Sequence, residues 1–304
     1  MRVTDPCTRS VTYVRIQHGR RIVSTSLQSE PEDDTEARNA SRVEYVAVGA
    51  APARATPLEL APWPVAFRRL LRTATELLDC RRELLAIRSE MDQPEHFTAT
   101  RRASLLRTIG VRMGTRMRLH VEVHGPVPCK PSVLVANHMS YLDPIAIGSV
   151  LPLSAVAKSE ITRWPAVGLA IEELGAVFVR RGDAMSGALA LRKAIRVLKA
   201  GVPILVFPEG TTTYGDDVLP FSRGAFGIAR LLRMPVVPVT LRYDTGDACW
   251  VGSATLMPHL LKLHRHDRVR ADVIFGPPLE PMAFPDASSL AAATRSCIRS
   301  LVLP

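Results

Sequence analysis

No uncharged apolar run of about 18 residues or more occurs in this chain, so the sequence offers no clear membrane-spanning helix. The nearest approach, Pro144 to Ala157, is short, carries Pro152 and follows Asp143 directly. The first thirty residues lack the apolar stretch of a secretory leader. The five cysteines (Cys7, Cys80, Cys129, Cys249 and Cys297) make no C-x-x-C pair and are odd in number. That argues against a disulfide scaffold or a zinc site and fits a reducing compartment. Aromatic residues are only 5% of the chain and no nucleic-acid motif is present, so nucleic acid is not the expected partner. G-x-S-x-G is missing, so there is no nucleophile elbow, and no segment repeats.

What is present suits a sizeable folded core. The 304 residues are 47% hydrophobic and 22% charged. The net charge of +10 favours an anionic partner such as a phosphorylated substrate, a coenzyme A ester or an anionic membrane surface. Residues 1–60 read as a disordered or irregular extension, polar and acidic at "SEPEDDTEARNAS" and small and proline-containing at "AVGAAPARATP", with a short strand at "TYVRI". Residues 61–117 read as an amphipathic helical pair. Leucines at 70/71, 77/78 and 84/85 recur every seven residues with arginines between them, and a second helix is expected over 101–117. Core packing and a basic face lying on an anionic membrane are both compatible with this pattern.

From residue 118 to 304 strands and helices alternate. "RLHVEVHG", "PSVLVAN", "LSAVAK", "GAVFVRR", "VPILVFPEG", "PVVPVTLRY" and "RADVIFGPPL" read as strands. Helices are expected from Asp143–Pro144, over "DAMSGALALRKAIRVLKAG", "AFGIARLLR" and "SSLAAATRSCIRSLVL". The pattern predicts an α/β fold with a mixed, largely parallel sheet flanked by helices. In such folds the reactive groups gather where strands end. Three of these strand ends carry Asn137–His138, Pro208–Glu209–Gly210 and Arg180–Arg181.

His138 and Asp143 are five residues apart and would diverge on one helix. They meet only if 138–142 is a loop and Asp143 opens the helix, with Asp143 as its N-cap and Pro144 as its first residue. A carboxylate on one ring nitrogen would then fix the tautomer and raise the basicity of the other nitrogen, ready to take a proton from a hydroxyl. That is the base and its orienting partner without a protein nucleophile.

Four blocks together resemble the glycerolipid acyltransferases, the lysophosphatidic acid acyltransferase family. They are "NHMSYLD" from Asn137 to Asp143, Gly175 to Arg181, "FPEGT" from Phe207 to Thr211, and Pro235 to Val239. The resemblance spans about residues 105–285 and implies transfer of an acyl group from acyl-CoA or acyl carrier protein to the free hydroxyl of a lysophospholipid. The acceptor it implies first is 1-acyl-sn-glycerol-3-phosphate, giving phosphatidic acid. On this resemblance His138 is the base and Asp143 its orienter. Asn137, Phe178, Arg181, Glu209, Gly210, Thr211 and Arg223 contribute to substrate binding: Arg181 and Arg223 hold phosphate, and Glu209 bonds a glycerol hydroxyl. Backbone N–H groups near Asn137 and Gly210 are candidates for stabilising an oxyanion. No cofactor or metal is implied beyond the acyl thioester co-substrate, and the enzyme is expected peripherally on the cytoplasmic face of a membrane.

The chain departs from the family pattern at Thr212, where the family often has arginine after FPEGT, and this leaves the acceptor headgroup open. A lyso-ornithine lipid is the alternative acceptor. Two other classes remain: a lipid-ester hydrolase using Ser140, and a non-catalytic membrane-associated lipid-binding module. "HLLKLHRHDRVR" (259–270) reads as a solvated basic segment rather than a metal site, because its histidines lack acidic or cysteine partners at ligand spacing.

Overall fold

A computed structural model describes residues 13–17, 20–24, 60–90, 98–164, 167–180 and 182–302. The expected extension over 1–60 therefore lies outside the described residues, apart from residue 60 and two short strands, β1 (Tyr13–Gln17) and β2 (Arg20–Ser24). The remaining strands are β3 (Leu119–His124), β4 (Val133–Ala136), β5 (Ser154–Lys158), β6 (Val177–Val179), β7 (Ile204–Val206), β8 (Val236–Tyr243) and β9 (Val269–Phe275). The helices are α1 (Trp63–Glu90), α2 (Ala99–Arg116), α3 (Asp143–Val150), α4 (Val167–Glu173), α5 (Ala184–Lys199), α6 (Gly224–Leu232), α7 (Leu256–Leu263) and α8 (Ala287–Val302).

One sheet runs in the order β2-β1-β3-β9-β8-β4-β7-β5-β6. Strands β8, β4, β7, β5 and β6 are mutually parallel. The antiparallel β8–β9 pairing turns the direction, and β3 follows β9. The mixed, largely parallel sheet expected from the alternation is therefore present. Because five neighbours share one direction, the carboxyl ends of β4, β7, β6 and β8 lie along the same edge.

Side chains on β4 alternate between two layers, which explains why its sequence is apolar throughout. Leu134 and Ala136 enter a core shared with Ala146 and Ile147 of α3. Val133 and Val135 enter a second core with Leu198 of α5, Phe226 of α6, and Leu290 and Ile298 of α8. Gly125, just past β3, has φ +75° and packs against β9; a Cβ there would lie 2.1 Å from the Phe275 carbonyl oxygen.

The helical pair is fastened to the sheet domain. Glu76 of α1 is buried between Arg112 and Arg116 of α2, at 2.6 and 2.7 Å. The Arg116 bond and then the Arg112 bond, set against a burial cost, hold the Glu76 carboxyl below its ordinary value. Arg69 donates to the His264 carbonyl (3.1 Å) and to Asp267 (2.7 Å). Among the described residues no helix is long and apolar enough to cross a membrane.

Two expectations need correction, and one gap is filled. Segment 259–270 is not a solvated basic run: its first part forms the end of α7, His264 and His266 are buried, and His266 pairs with Asp247 at 2.9 Å. Burial, with Arg69 beside it, pushes His264 down to about 4. Asp143 is the first residue of α3 rather than its cap, because its carboxylate is occupied elsewhere. Residues 159–163 and 167–173, unassigned from sequence, form a short 3-10 turn and α4.

Candidate active site

The chain leaves β4 at Ala136 and makes a turn before α3, and three contacts fix that turn. The first is Asn137, which is buried and whose amide bonds β8 through both its nitrogen and its oxygen. Its Nδ2 donates to the Leu241 carbonyl (3.0 Å) and its Oδ1 accepts from the Leu241 N–H (2.8 Å). The Asn137 side chain thus ties β4 to β8, a use that the expected substrate contact did not include.

The second contact is Asp143, wholly buried. Its Oδ2 accepts from His138 Nδ1 (2.7 Å) and from the backbone N–H of Met139 (2.7 Å) and Ser140 (2.9 Å). Its Oδ1 accepts from the Tyr243 hydroxyl (2.7 Å). The carboxylate fixes the imidazole with its proton on Nδ1 and the lone pair on Nε2. No motif in the sequence pointed to Tyr243, which ends β8 one hundred residues from Asp143. The only signal was its place at the C-terminal end of a parallel strand.

The third contact is the 207–213 loop. The Phe207 ring stacks on His138, centroids 4.1 Å apart and 20° from parallel. Glu209 Oε1 accepts from the His138 N–H (2.8 Å), and Oε2 accepts from the Leu219 N–H (2.9 Å). The Thr213 N–H donates to the His138 carbonyl (2.8 Å). Glu209 thus braces the loop to the histidine turn, a use of its carboxylate that the expected bond to a glycerol hydroxyl did not include. Burial pushes its carboxyl up, against the opposing effect of the two amide donors. With these bonds in place, the His138 side chain remains 22% exposed, and its Nε2 has no protein partner among the described residues.

The other expected groups are placed as follows. Gly210 has φ +75°, a backbone region that favours glycine. Its N–H already donates to the Phe207 carbonyl (3.2 Å), so it is not free for an oxyanion in this arrangement. Met139 and Ser140 N–H are likewise taken by Asp143. Thr211 is exposed, and Phe178 is half-buried on β6. Arg223 is exposed where α6 begins, beside a groove of about 410 Å³ that also takes in Phe221 and Arg295. The bond from Ser222 N–H to the Pro208 carbonyl (3.0 Å) ties that corner to the FPEGT loop. Arg181 lies outside the described residues. Arg180, beside it, is exposed and 3.8 Å from Asp183.

Thr212 does not replace the family arginine as a ligand: its hydroxyl donates to the Trp250 carbonyl (2.5 Å). Ser140 is fully buried, and its hydroxyl has no partner among the described residues. Away from this edge, Glu122, His124 and Asp272 have the spacing to hold a metal ion. Arg270 pairs with both of those carboxylates, at 2.9 and 3.0 Å.

The Acyltransferase family model matches residues 120–242. The lyso-ornithine lipid O-acyltransferase of Pseudomonas aeruginosa is 31% identical over 193 residues, 62% of this chain and 74% of that protein. The lyso-ornithine lipid O-acyltransferase of Rhodobacter capsulatus is 34% identical over 197 residues, 60% of this chain and 70% of that protein. Human 1-acyl-sn-glycerol-3-phosphate acyltransferase alpha is 38% identical over 133 residues, 42% of this chain and 46% of that one. The crystal structure of a 1-acyl-sn-glycerophosphate acyltransferase from Thermotoga maritima has the same fold, with TM-score 0.54 and 24% identity over 77% of this chain and 96% of its own.

Proposed function

Because this chain belongs to the glycerolipid acyltransferase family, we propose that His138 is the general base with which it moves an acyl group from a thioester to the free hydroxyl of a lysolipid. The chain is an O-acyltransferase of lysolipids. The observation that supports the assignment of roles is the His138–Asp143 pair: Nδ1 is held by a buried carboxylate while Nε2 has no protein partner. A substrate alcohol is a poor nucleophile until its proton is removed. Nε2 takes that proton as the oxygen attacks the thioester carbonyl. The imidazolium, steadied by Asp143, then returns the proton to the departing thiolate. General-base help of this kind is worth roughly 10²–10⁴ in rate. The donor is acyl-CoA or acyl carrier protein. No covalent acyl-enzyme is needed, and the burial of Ser140 speaks against a hydrolase that would use it.

The acceptor in the first reading is 1-acyl-sn-glycerol-3-phosphate, its phosphate met by Arg181 and Arg223, whose guanidinium groups suit a phosphate dianion. Glu209 and Gly210 shape the acceptor side through the loop they hold. A lyso-ornithine lipid is the second reading. It is favoured by Thr212, which supplies no cation after FPEGT, and by the longer matches to lyso-ornithine lipid acyltransferases.

The enzyme sits peripherally on an anionic membrane. Trp63, Phe67, Leu71, Leu78 and Leu85 form an exposed apolar stripe on α1, flanked by the exposed Arg68, Arg72 and Arg82. The test of function is acyl transfer from a labelled thioester over a panel of lysolipids, with wild type and His138→Ala. Turnover on one headgroup, lost in the variant, is expected. Turnover that survives in His138→Ala refutes the assignment, and binding without turnover in wild type would make the chain a lipid-binding module.

A further inference from the structure

Oδ2 of Asp143 takes all of its donors from the turn just before it, residues 138 to 140. No donor from that turn reaches Oδ1. The Tyr243 hydroxyl fills that place at 2.7 Å, arriving from the end of a different strand. Two residues earlier on β8, the Leu241 backbone is clamped through both its carbonyl and its N–H by the Asn137 amide, at 3.0 and 2.8 Å. Residues 241 and 243 project from the same face of the strand. The clamp therefore sets where the phenol stands relative to the His138 turn.

A buried carboxylate with one oxygen unmet would pay for that orphaned acceptor and could swing about its Cβ–Cγ bond. Either change would loosen the imidazole. The phenol also keeps the proton that it donates. Burial, reinforced by the negative charge of Asp143, raises Tyr243 well above the ordinary phenol range, so its proton stays in place and the group donates at any working pH.

We propose that Tyr243 is a positioning residue for acyl transfer: its O–H fixes Oδ1 of Asp143, keeps Oδ2 on His138 Nδ1, and draws off part of the carboxylate's charge. This rests on His138 being the base of the reaction. Besides Tyr243 itself, the ionisable groups around the pair are Glu209, Tyr141 and Cys249. None of them hydrogen-bonds the Asp143 carboxylate among the described residues.

The sign of the effect follows from the charge. Removing the donor concentrates charge on Asp143, so its imidazolium partner is held more tightly and His138 loses its proton at higher pH. In Tyr243→Phe, kcat should fall about tenfold, in keeping with the loss of a partner that orients a working group. KM for the lysolipid should hold, and the acidic limb of the kcat profile should move to higher pH. The His138 C–H resonances should titrate later by the same amount, a shift that NMR reads without turnover. Replacing Tyr243 by 3-fluorotyrosine makes a stronger donor and should move both curves the opposite way, which a purely structural role would not do.

A folded Tyr243→Phe with wild-type kcat and an unmoved His138 titration overturns the proposal. So does a fluorotyrosine shift of the same sign as the phenylalanine shift. If wild type turns over no lysolipid, the acyl-transfer reading fails separately. The titration then decides the Tyr243 contact: a shift upholds it and an unmoved curve overturns it.

Discussion

Asp143→Asn separates geometry from charge at the heart of the site. Three donors converge on Oδ2, so the amide oxygen must take that place, and its NH2 then faces the Tyr243 oxygen at the Oδ1 position. The phenol can turn its proton away and accept, which keeps the bonds to the amide but leaves the phenol proton without a partner among the described residues. The melting temperature should therefore fall by only a few degrees, in line with about 1–3 kcal/mol for one unmet donor.

What is lost is the negative charge beside the imidazolium that forms when His138 takes the alcohol's proton. With charge centres about 4 Å apart and an effective dielectric of about 20, the lost attraction is about 4 kcal/mol. At 1.36 kcal/mol per decade this is close to a thousandfold in kcat. Initial rates of thiol release from the acyl thioester, with saturating lysolipid at pH 7.5, measure it. Calorimetry on the same sample monitors the fold. A correctly folded Asp143→Asn that keeps more than a tenth of wild-type turnover would refute the base–orienter reasoning and leave positioning alone to explain catalysis.

Other perturbations probe the scaffold and its setting. Gly125→Ala places a Cβ 2.1 Å from the Phe275 carbonyl at φ +75°, so it should cost at least about 3 kcal/mol and lower Tm by roughly 10 °C in a thermal melt. The Glu76 carboxyl is held below its ordinary value of 4.5 by Arg116 and Arg112, so the stability it adds is complete above that pH and is lost as pH falls through the lowered value. Glu76→Gln should therefore be less stable than wild type by about 1–3 kcal/mol at pH 7, with the gap closing as the pH falls through the lowered carboxyl value in denaturant titrations. Phe67→Asp with Leu71→Asp should abolish flotation with anionic vesicles while leaving Tm unchanged, because both side chains are already exposed. Undiminished flotation of that variant in high salt would remove α1 from the membrane contact.

The parts of the fold that were legible in the sequence are those written in local pattern. Continuous apolar stretches marked β4 and β8, and Asp183 and Gly201 bounded α5. The FPEGT block followed β7 as expected. The pairing of His138 with Asp143 was also legible, because it needs only a short loop and a helix start. Asp143 was misplaced as a cap for a related reason: an aspartate before proline is a strong start signal, and only the competing donors of the 138–140 turn and Tyr243 reveal that its oxygens are already taken. The histidines of 259–270 read as solvated because their partners, Thr73 and Asp247, lie on other elements.

By itself, the sequence determined most of the order of strands and helices, though not α4 or α7, together with the basic balance and the set of reactive groups at the strand ends, since each depends on residues near one another in the chain. The tertiary structure decided which of those groups touch. Asn137 is spent on Leu241, Glu209 on the backbone of His138 and Leu219, and Asp143 on Tyr243. Most of these contacts cross about 70 to 105 residues, as the separations of 71, 100 and 104 show. They exist because the sheet places β4 between β7 and β8, a neighbour relation set by packing both of its faces and not encoded in any one segment.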